Sequence, residues 1–394
     1  MKIMLVVEQF DPNRGYLEYY LARELVKLGH KVYILTFEWN KNILRKVTED
    51  GFEIISLPYI GIIHGFHVPY PAGIIYVIGF LKREKPNIVH CNPVFSPISL
   101  LLIRLKDLFH YKCVGSLITG EFHLNNVFNK ILFKFSIIAV LLIKSKVDRF
   151  FALNNNVALY INNTYGIPYE KIEVIPLGAD VELFKYNVIE RVSIRKKLGI
   201  GSDDIVVCYT GRLLPSKQVD VLMKALAPII KNNSKVKLLI VGSGDKAYLK
   251  YLQAYSSRLQ IQRNVVFHPT VHRKQLSSFY SASDIAVWPA APSISILEAA
   301  SVGLPVISGS LFFYKDLEDN NAGYVIRRGD WLRLIQLLSK LIADEKLRRN
   351  LGSNAKNLVK AKFNWKLIAK KYIKVYSEVT LLSEAYESCK ILVQ

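Results

Sequence analysis

The feature that most constrains the fold of this 394-residue chain is a rhythm: short, unbroken apolar runs alternate with helix-patterned stretches. The first series reads "KIMLVV", a loop, "YLEYYLARELVKLG", then "KVYILT", and continues through "NIVHC", "KCVGSLIT", "RFFAL" and "KIEVIP". A second series begins near residue 205 with "DIVVCYTG" and runs through "KLLIVGSG", "NVVFHP", "DIAVWP" and "LPVIS". A strand that is apolar at every position, not at every second one, has both faces buried, which calls for parallel sheets covered by helices. Helices between such strands give the doubly wound α/β arrangement. Gly29 suits the C-cap that ends the first helix before the second strand.

Because the series occurs twice, two Rossmann-like domains are expected: residues 1–178 and 201–370, joined by a linker at 179–200. An amphipathic stretch at 371–394 forms a last helix expected to cross back to the first domain. Ligands of open α/β sheets lie beyond the carboxyl ends of the strands. Two such domains facing each other would leave a cleft, and the loops that follow strands are where chemistry belongs.

Charge narrows the ligands. The net charge is +21, and it is uneven: residues 1–186 carry 21 Lys/Arg against 16 Asp/Glu, the rest 32 against 16. From Lys346 to Lys374 there are ten basic residues and no acidic one. Such a field favours phosphate-bearing ligands, an anionic membrane face or nucleic acid, and it also fits a solvated helix face. No nucleic-acid recognition module is legible, so nucleic acid is not expected as a partner. The apolar run "FSIIAVLLI" (135–143) is about half of the ~20 residues that span a bilayer. With Lys130, Lys134, Lys144 and Lys146 around it, it fits an interfacial helix or a buried crossover helix. Cys91, Cys113, Cys208 and Cys389 have neither metal nor disulfide spacing, which points to a reducing compartment. The N-terminal run reads as a first strand, not a signal peptide.

Two motifs carry the chemistry. In "TGRLLPSK" (210–217) a strand ends in Gly211, and Arg212 and Lys217 follow across a Pro-stiffened loop that leads into a helix. A guanidinium fork, a long-stemmed ammonium and a helix N-terminus together suit a diphosphate; a solvated basic loop is the competing reading. In "SISILEAASVGLPVIS" (293–308) Glu298 is a single carboxylate in an apolar helix. Between them "LIVGSGDKAYLKYL" places Gly242 and Gly244 in a strand-to-helix turn, which by itself is weak evidence. Asp203-Asp204 reads as a turn, no D-x-D metal motif is present, and no cofactor or essential metal is expected.

The order and spacing of these motifs resemble the retaining GT-B glycosyltransferases of the glycosyl transferase group 1 family. The family pattern runs G-R-L-x-x-x-K-G, V-G-x-G, F-x-G-x-V, A-D-x-x-x-x-P and L-E-A-x-A-x-G-x-P-V-I. "YEKIEVIPLGADVELF" resembles its linker, and "FDPNRGYLEYYLARELVKLGHKVYILT" its N-terminal F-x-P-x-x-G-G-x-E stretch. The resemblance implies transfer of a sugar from a nucleoside-diphosphate sugar to a glycan or lipid-linked acceptor. It implies that Arg212 and Lys217 hold the diphosphate and that Glu298 takes the ribose hydroxyls. Gly15, Gly211, Gly242, Gly244, Thr270, Val271, Ser293, Ile294 and Ser295 would complete the donor site. Tyr16, His90, Glu121 and His123 are candidates for the sugar or acceptor, each with a plain structural alternative; for His90 a satisfied core histidine is favoured. A cytoplasmic enzyme at the inner face of the membrane, in surface polysaccharide or glycolipid synthesis, follows from the same resemblance and the lysine-flanked run.

One departure stands out. The family's E-x7-E has its first Glu eight residues before Glu298, where this chain has Ala290. A non-catalytic nucleotide-sugar binder is therefore the alternative. The related 2-epimerases would need further acid/base residues that are not found.

Overall fold

A computed structural model describes residues 1–12, 17–39, 42–63, 66–117, 127–290, 293–309 and 315–391; residues 63, 127–133 and 382–391 are described by their backbone alone. Gly15, Tyr16, Glu121 and His123 lie outside the described residues. The chain forms two compact units, Met1–Leu177 together with the residues from Lys366 onward, and Gly178–Trp365.

The first unit contains β1 (Lys2–Val7), α1 (Leu17–Lys27), β2 (Lys31–Phe37), β3 (Leu44–Val47), β4 (Glu53–Leu57), the hairpin β5 (Tyr59–Ile63) and β6 (Phe66–Pro69), α2 (Pro71–Glu84), β7 (Ile88–Asn92), α3 (Pro97–Phe109), β8 (Lys112–Ser116), α4 (Val127–Ile143), β9 (Arg149–Ala152), α5 (Asn155–Tyr165) and β10 (Ile172–Val174). Its sheet has the order β10-β9-β8-β7-β1-β2-β4-β3, parallel except for the edge strand β3. The central strands are buried along nearly their whole length, as unbroken apolar runs require. Strand β3, "LRKV", is exposed throughout, and its Arg45 and Lys46 guard the sheet edge against further pairing. Strand order reverses between β1 and β7, so the carboxyl ends of those strands are this unit's switch point.

The second unit contains α6 (Val188–Leu198), β11 (Ile205–Thr210), α7 (Val219–Asn232), β12 (Val236–Val241), α8 (Lys246–Arg258), β13 (Val265–His268), α9 (Arg273–Ser281), β14 (Ile285–Trp288), α10 (Ile294–Val302), β15 (Val306–Ser308), α11 (Lys315–Asp319), β16 (Gly323–Val325), α12 (Trp331–Ala343) and α13 (Glu345–Lys362). Its all-parallel sheet has the order β13-β12-β11-β14-β15-β16, and the switch point lies between β11 and β14.

Residues 179–200, expected as a linker, belong to the second unit. Asn187 caps α6, Arg191 and Arg195 of that helix both pair with Asp284 at 2.7 Å, and Arg195 also donates to the Ala282 carbonyl. The apolar pattern of α6 is weak because the helix is anchored by guanidinium groups, not by a greasy stripe, and this hid its membership. The return to the first unit also comes earlier than residue 371. Helix α14 (Trp365–Ile391) starts on the second unit, where Trp365 donates its amide to Ala179, and belongs to the first from Lys366. There Tyr372 and Tyr376 are fully buried and pack against Phe151 and His90. Among the described residues no helix is long and apolar enough to cross a membrane.

Candidate nucleotide site

At the switch point of the second unit the loop after β11 carries both expected cations. Gly211 has a φ of 140°, outside the range ordinary side chains favour, and its amide donates to the Val241 carbonyl. Arg212 is exposed, and its carbonyl accepts from the Tyr209 hydroxyl at 3.0 Å, which fixes the direction of the turn. Lys217 ends a 3-10 turn, Pro215–Lys217, directly before α7. Its ammonium is partly removed from water, and that burial, together with the nearby Arg212 guanidinium, holds its pKa below the ordinary lysine range. Neither cation is paired with an acidic side chain among the described residues. Two like charges held together without a counter-charge cost free energy until an anion arrives.

Gly242 and Gly244 have a mainly structural task. A Cβ on Gly242 would lie 1.9 Å from the Gly211 carbonyl oxygen, and one on Gly244 would lie 2.3 Å from that of Leu213. The turn after β12 therefore presses backbone to backbone on the loop that holds Arg212. A Leu213–Gly244 bridge and the Asp245 amide bond to Leu213 complete the seam. Beside it Ser243 accepts from the Thr270 amide at 3.1 Å, so the segment Pro269–Val271, which leads from β13 to α9, is tied to the same loop.

On the other side of the switch point, Ser293 is the N-cap of α10 and accepts from the Ser295 amide at 3.3 Å. Ile294 is the first helical residue. Glu298, on the following turn, is 1% exposed. Its carboxylate receives the Arg273 guanidinium at 2.5 Å. Burial pushes the Glu298 pKa up, while Arg273, then Tyr280 and Ser295, pull it back toward the ionised form, and Asp180 opposes them. The Tyr280 hydroxyl meets Thr210 at 2.7 Å, and Trp288 donates to the Thr210 carbonyl at 2.8 Å. A buried polar chain thus links Glu298 to the end of β11. Ala290 is buried, and Gly309 closes over the preceding Pro289 so tightly that a Cβ would lie 1.9 Å from its carbonyl oxygen.

Sequence reasoning overlooked Arg273 and Tyr280. No spacing rule pairs residues 273 and 298. The only hint was an arginine at the start of the helix that follows the loop at 269–271.

In the first unit His90 leaves the list of ligand candidates. It is 2% exposed, with Nδ1 at 2.7 Å from the Tyr376 hydroxyl and Nε2 at 2.7 Å from the Ser116 hydroxyl. Both ring nitrogens are occupied, and burial lowers its pKa to about 3, so it is a neutral core histidine. The polar pair at this unit's switch point is Asn92 and Glu18, whose carboxylate accepts from the Asn92 amide at 2.5 Å. Glu18 falls on the last letter of the F-x-P-x-x-G-G-x-E stretch, a signal the sequence offered.

Residues 190–358 match the family described as glycosyl transferases group 1, and residues 18–183 match glycosyltransferase family 4. D-inositol 3-phosphate glycosyltransferase of Xylanimonas cellulosilytica is 28% identical over 227 residues, covering 55% of this chain and 53% of that one. The chain spans about half the length of the curated relatives it matches first (53% and 55%). Sucrose-phosphate synthase from Thermosynechococcus elongatus superposes with a TM-score of 0.79 at 19% identity, over 97% of this chain and 99% of that one. HepE of Anabaena, solved with UDP and glucose, gives a TM-score of 0.75 at 18% identity, over 96% and 99%. Two Rossmann-like units with a basic switch-point loop and a buried carboxylate define a protein of the GT-B fold. The chain belongs to the group 1 glycosyltransferases.

Proposed function

We propose that the protein is a retaining glycosyltransferase that moves a sugar from a nucleoside-diphosphate sugar to a glycan or lipid-linked acceptor at the cytoplasmic face of a membrane. The observation that carries the reading is the pair Arg212 and Lys217, two cations at the carboxyl end of β11 with no acidic partner among the described residues. In the transfer the bond from the anomeric carbon to the phosphate oxygen breaks, and its electron pair stays on the diphosphate. The acceptor oxygen bonds to the anomeric carbon on the same face, and its proton passes to the leaving phosphate oxygen. Negative charge on the diphosphate grows as the bond lengthens, so cations already in place favour the transition state over the ground state. The reading assigns this neutralisation to side chains, and no protein nucleophile is required by it.

Glu298 is assigned the ribose, since a carboxylate can accept from two neighbouring hydroxyls. The N-terminus of α10 at Ser293–Ser295 is assigned the distal phosphate. A uridine nucleotide is the first donor to try because HepE was solved with UDP. The name of the Xylanimonas relative puts a phosphorylated polyol among the acceptors worth testing. Membrane association is supported by α4, whose Phe135, Ile138 and Leu142 are exposed at a helical spacing on a helix bearing Lys134.

Buried Ala290, in the place of the first Glu of the family's E-x7-E, favours one second reading: a protein that binds nucleotide sugars without transfer. A thermal-shift panel of UDP, GDP, ADP and CDP and their sugars, on wild type and Glu298→Ala, tests both. Ligand at 100 times Kd adds about 2.7 kcal/mol to stability. One nucleotide should stabilise the wild type and not the variant, and its sugars should then support transfer. Binding without transfer to any acceptor selects the second reading, and no shift with any ligand rejects both.

A further inference from the structure

We infer that Arg273 is the residue that positions the nucleoside-binding carboxylate, clamping Glu298 from the first turn of α9 and tying it to the loop at 269–271. The inference rests on the proposed donor site and assigns that site a further residue. Arg273 is the first residue of α9, directly after His272, whose ring caps the helix by accepting from the Lys274 amide. The loop before it, Pro269–Val271, carries the donor-site candidates Thr270 and Val271. The Arg273 guanidinium reaches back to Glu298 Oε1 at 2.5 Å, with side-chain exposures of 11% for Arg273 and 2% for Glu298. The guanidinium carbon lies 5.5 Å from the centre of the Phe184 ring, which supports the fork from one side.

Burial raises the pKa of a carboxylate this deep in an apolar helix, and without its cationic partner it would rise further toward the neutral form. As a neutral acid it loses much of its strength as an acceptor for two ribose hydroxyls. The groups facing it are Arg273 and Tyr280 from α9, Ser295 from its own helix and Asp180 from the segment before α6. Only Arg273 among them carries positive charge, and Asp180 acts the other way. By occupying Oε1, Arg273 also fixes the plane of the carboxylate and directs the second oxygen. The loop at 269–271 and the ribose-side carboxylate are therefore tied together through a single side chain.

The test is titration of UDP and GDP into wild type, Arg273→Gln, Arg273→Lys, Glu298→Gln and the double variant Arg273→Gln/Glu298→Gln, from about pH 5 to pH 8, by calorimetry. Circular dichroism and melting temperature monitor the fold of each. The wild type should lose affinity as pH falls and Glu298 takes up a proton. Arg273→Gln should bind roughly tenfold more weakly at neutral pH, the scale of one charge-assisted hydrogen bond, and its loss of affinity should begin at higher pH. Arg273→Lys, which keeps the charge without the fork, should restore the position of the acid limb but not the full affinity. Glu298→Gln and the double variant should bind weakly with no such limb. If Arg273→Gln is weakened equally at every pH, or keeps the wild-type profile, the positioning role is wrong while the donor site stands. If the wild type binds neither nucleotide, the donor site and this inference fall together.

Discussion

At the scale of single residues the second unit uses charge in two opposite ways. Glu298 is buried and paired, whereas among the described residues Arg212 and Lys217 have no acidic partner. A lysine with a lowered pKa is protonated less readily in the free protein than in the presence of a bound anion. Diphosphate binding should therefore draw a proton onto Lys217 as the pH approaches its depressed pKa, and affinity should decline there at lower pH than for an ordinary lysine. Calorimetry of UDP binding at alkaline pH, below the ordinary lysine range, in buffers of different ionisation enthalpy reads that proton uptake, and Lys217→Ala should abolish it. The same substitution, or Arg212→Ala, is expected to lower turnover about 10²–10³-fold, the usual effect of losing one preorganised charge-stabilising group.

His90 makes the opposite prediction, about stability. Its folded-state pKa, about 3, lies below the 6.5 of the unfolded chain, so between those values the unfolded state binds more protons. Its contribution is fully present above about pH 6.5 and declines by roughly 1.4 kcal/mol per pH unit on the acid side, until about pH 3. Urea unfolding at several pH values between about 7.5 and 5 should show a shallower pH dependence for His90→Asn than for the wild type. The sequence placed His90 at a strand end, where a cleft residue and a core residue look alike. The partner that decides between them, Tyr376, is 286 residues away.

At the scale of elements, what was legible were the strands and the loops that follow them. Unbroken apolar runs can do little else than form buried parallel strands, and the Gly-Arg turn after β11 and the Ser-capped start of α10 follow from local chemistry. What was not legible depended on contacts between elements. Gly242 and Gly244 were placed in the donor site by resemblance, and the structure shows their backbone pressed against the neighbouring loop. Gly242→Ala would push a methyl group into the Gly211 carbonyl at a φ of 152°. We expect it to cost about 3 kcal/mol, at the upper end of overpacking effects, and to weaken nucleotide binding by displacing Arg212. Melting temperature and UDP affinity measured together check this: loss of affinity with an unchanged melting temperature would contradict it. Helix α6 was assigned to a linker for a similar reason, because its anchors are ion pairs to Asp284 and not apolar spacing.

At the scale of the whole molecule, the α4 face is the surface feature most directly open to test. Vesicles rich in anionic lipid should co-float the protein at low salt. Replacing Ile138 and Leu142 by Asp should release it while nucleotide binding is retained; flotation of that variant at the wild-type level would remove α4 from the reading. Two Rossmann-like units were readable because the strand series repeats. Their boundaries were not, because a helix that starts on one unit and is buried in the other has one continuous pattern, and sequence alone does not show where ownership changes.

The path of α14 has a consequence in time. The first unit is begun by the residues before Gly178, yet its core is not complete until Tyr372 and Tyr376 have been synthesised. The second unit, Gly178–Trp365, is complete before then. During vectorial synthesis at about 5–20 residues per second, the later-coded unit can close first. His90 and Phe151 gain the cover of Tyr376 and Tyr372 only once α14 has left the ribosome. Chains stalled short of residue 372 should therefore carry a protease-resistant second unit and a protease-sensitive first one, so that the unit begun earlier in synthesis is the one finished later.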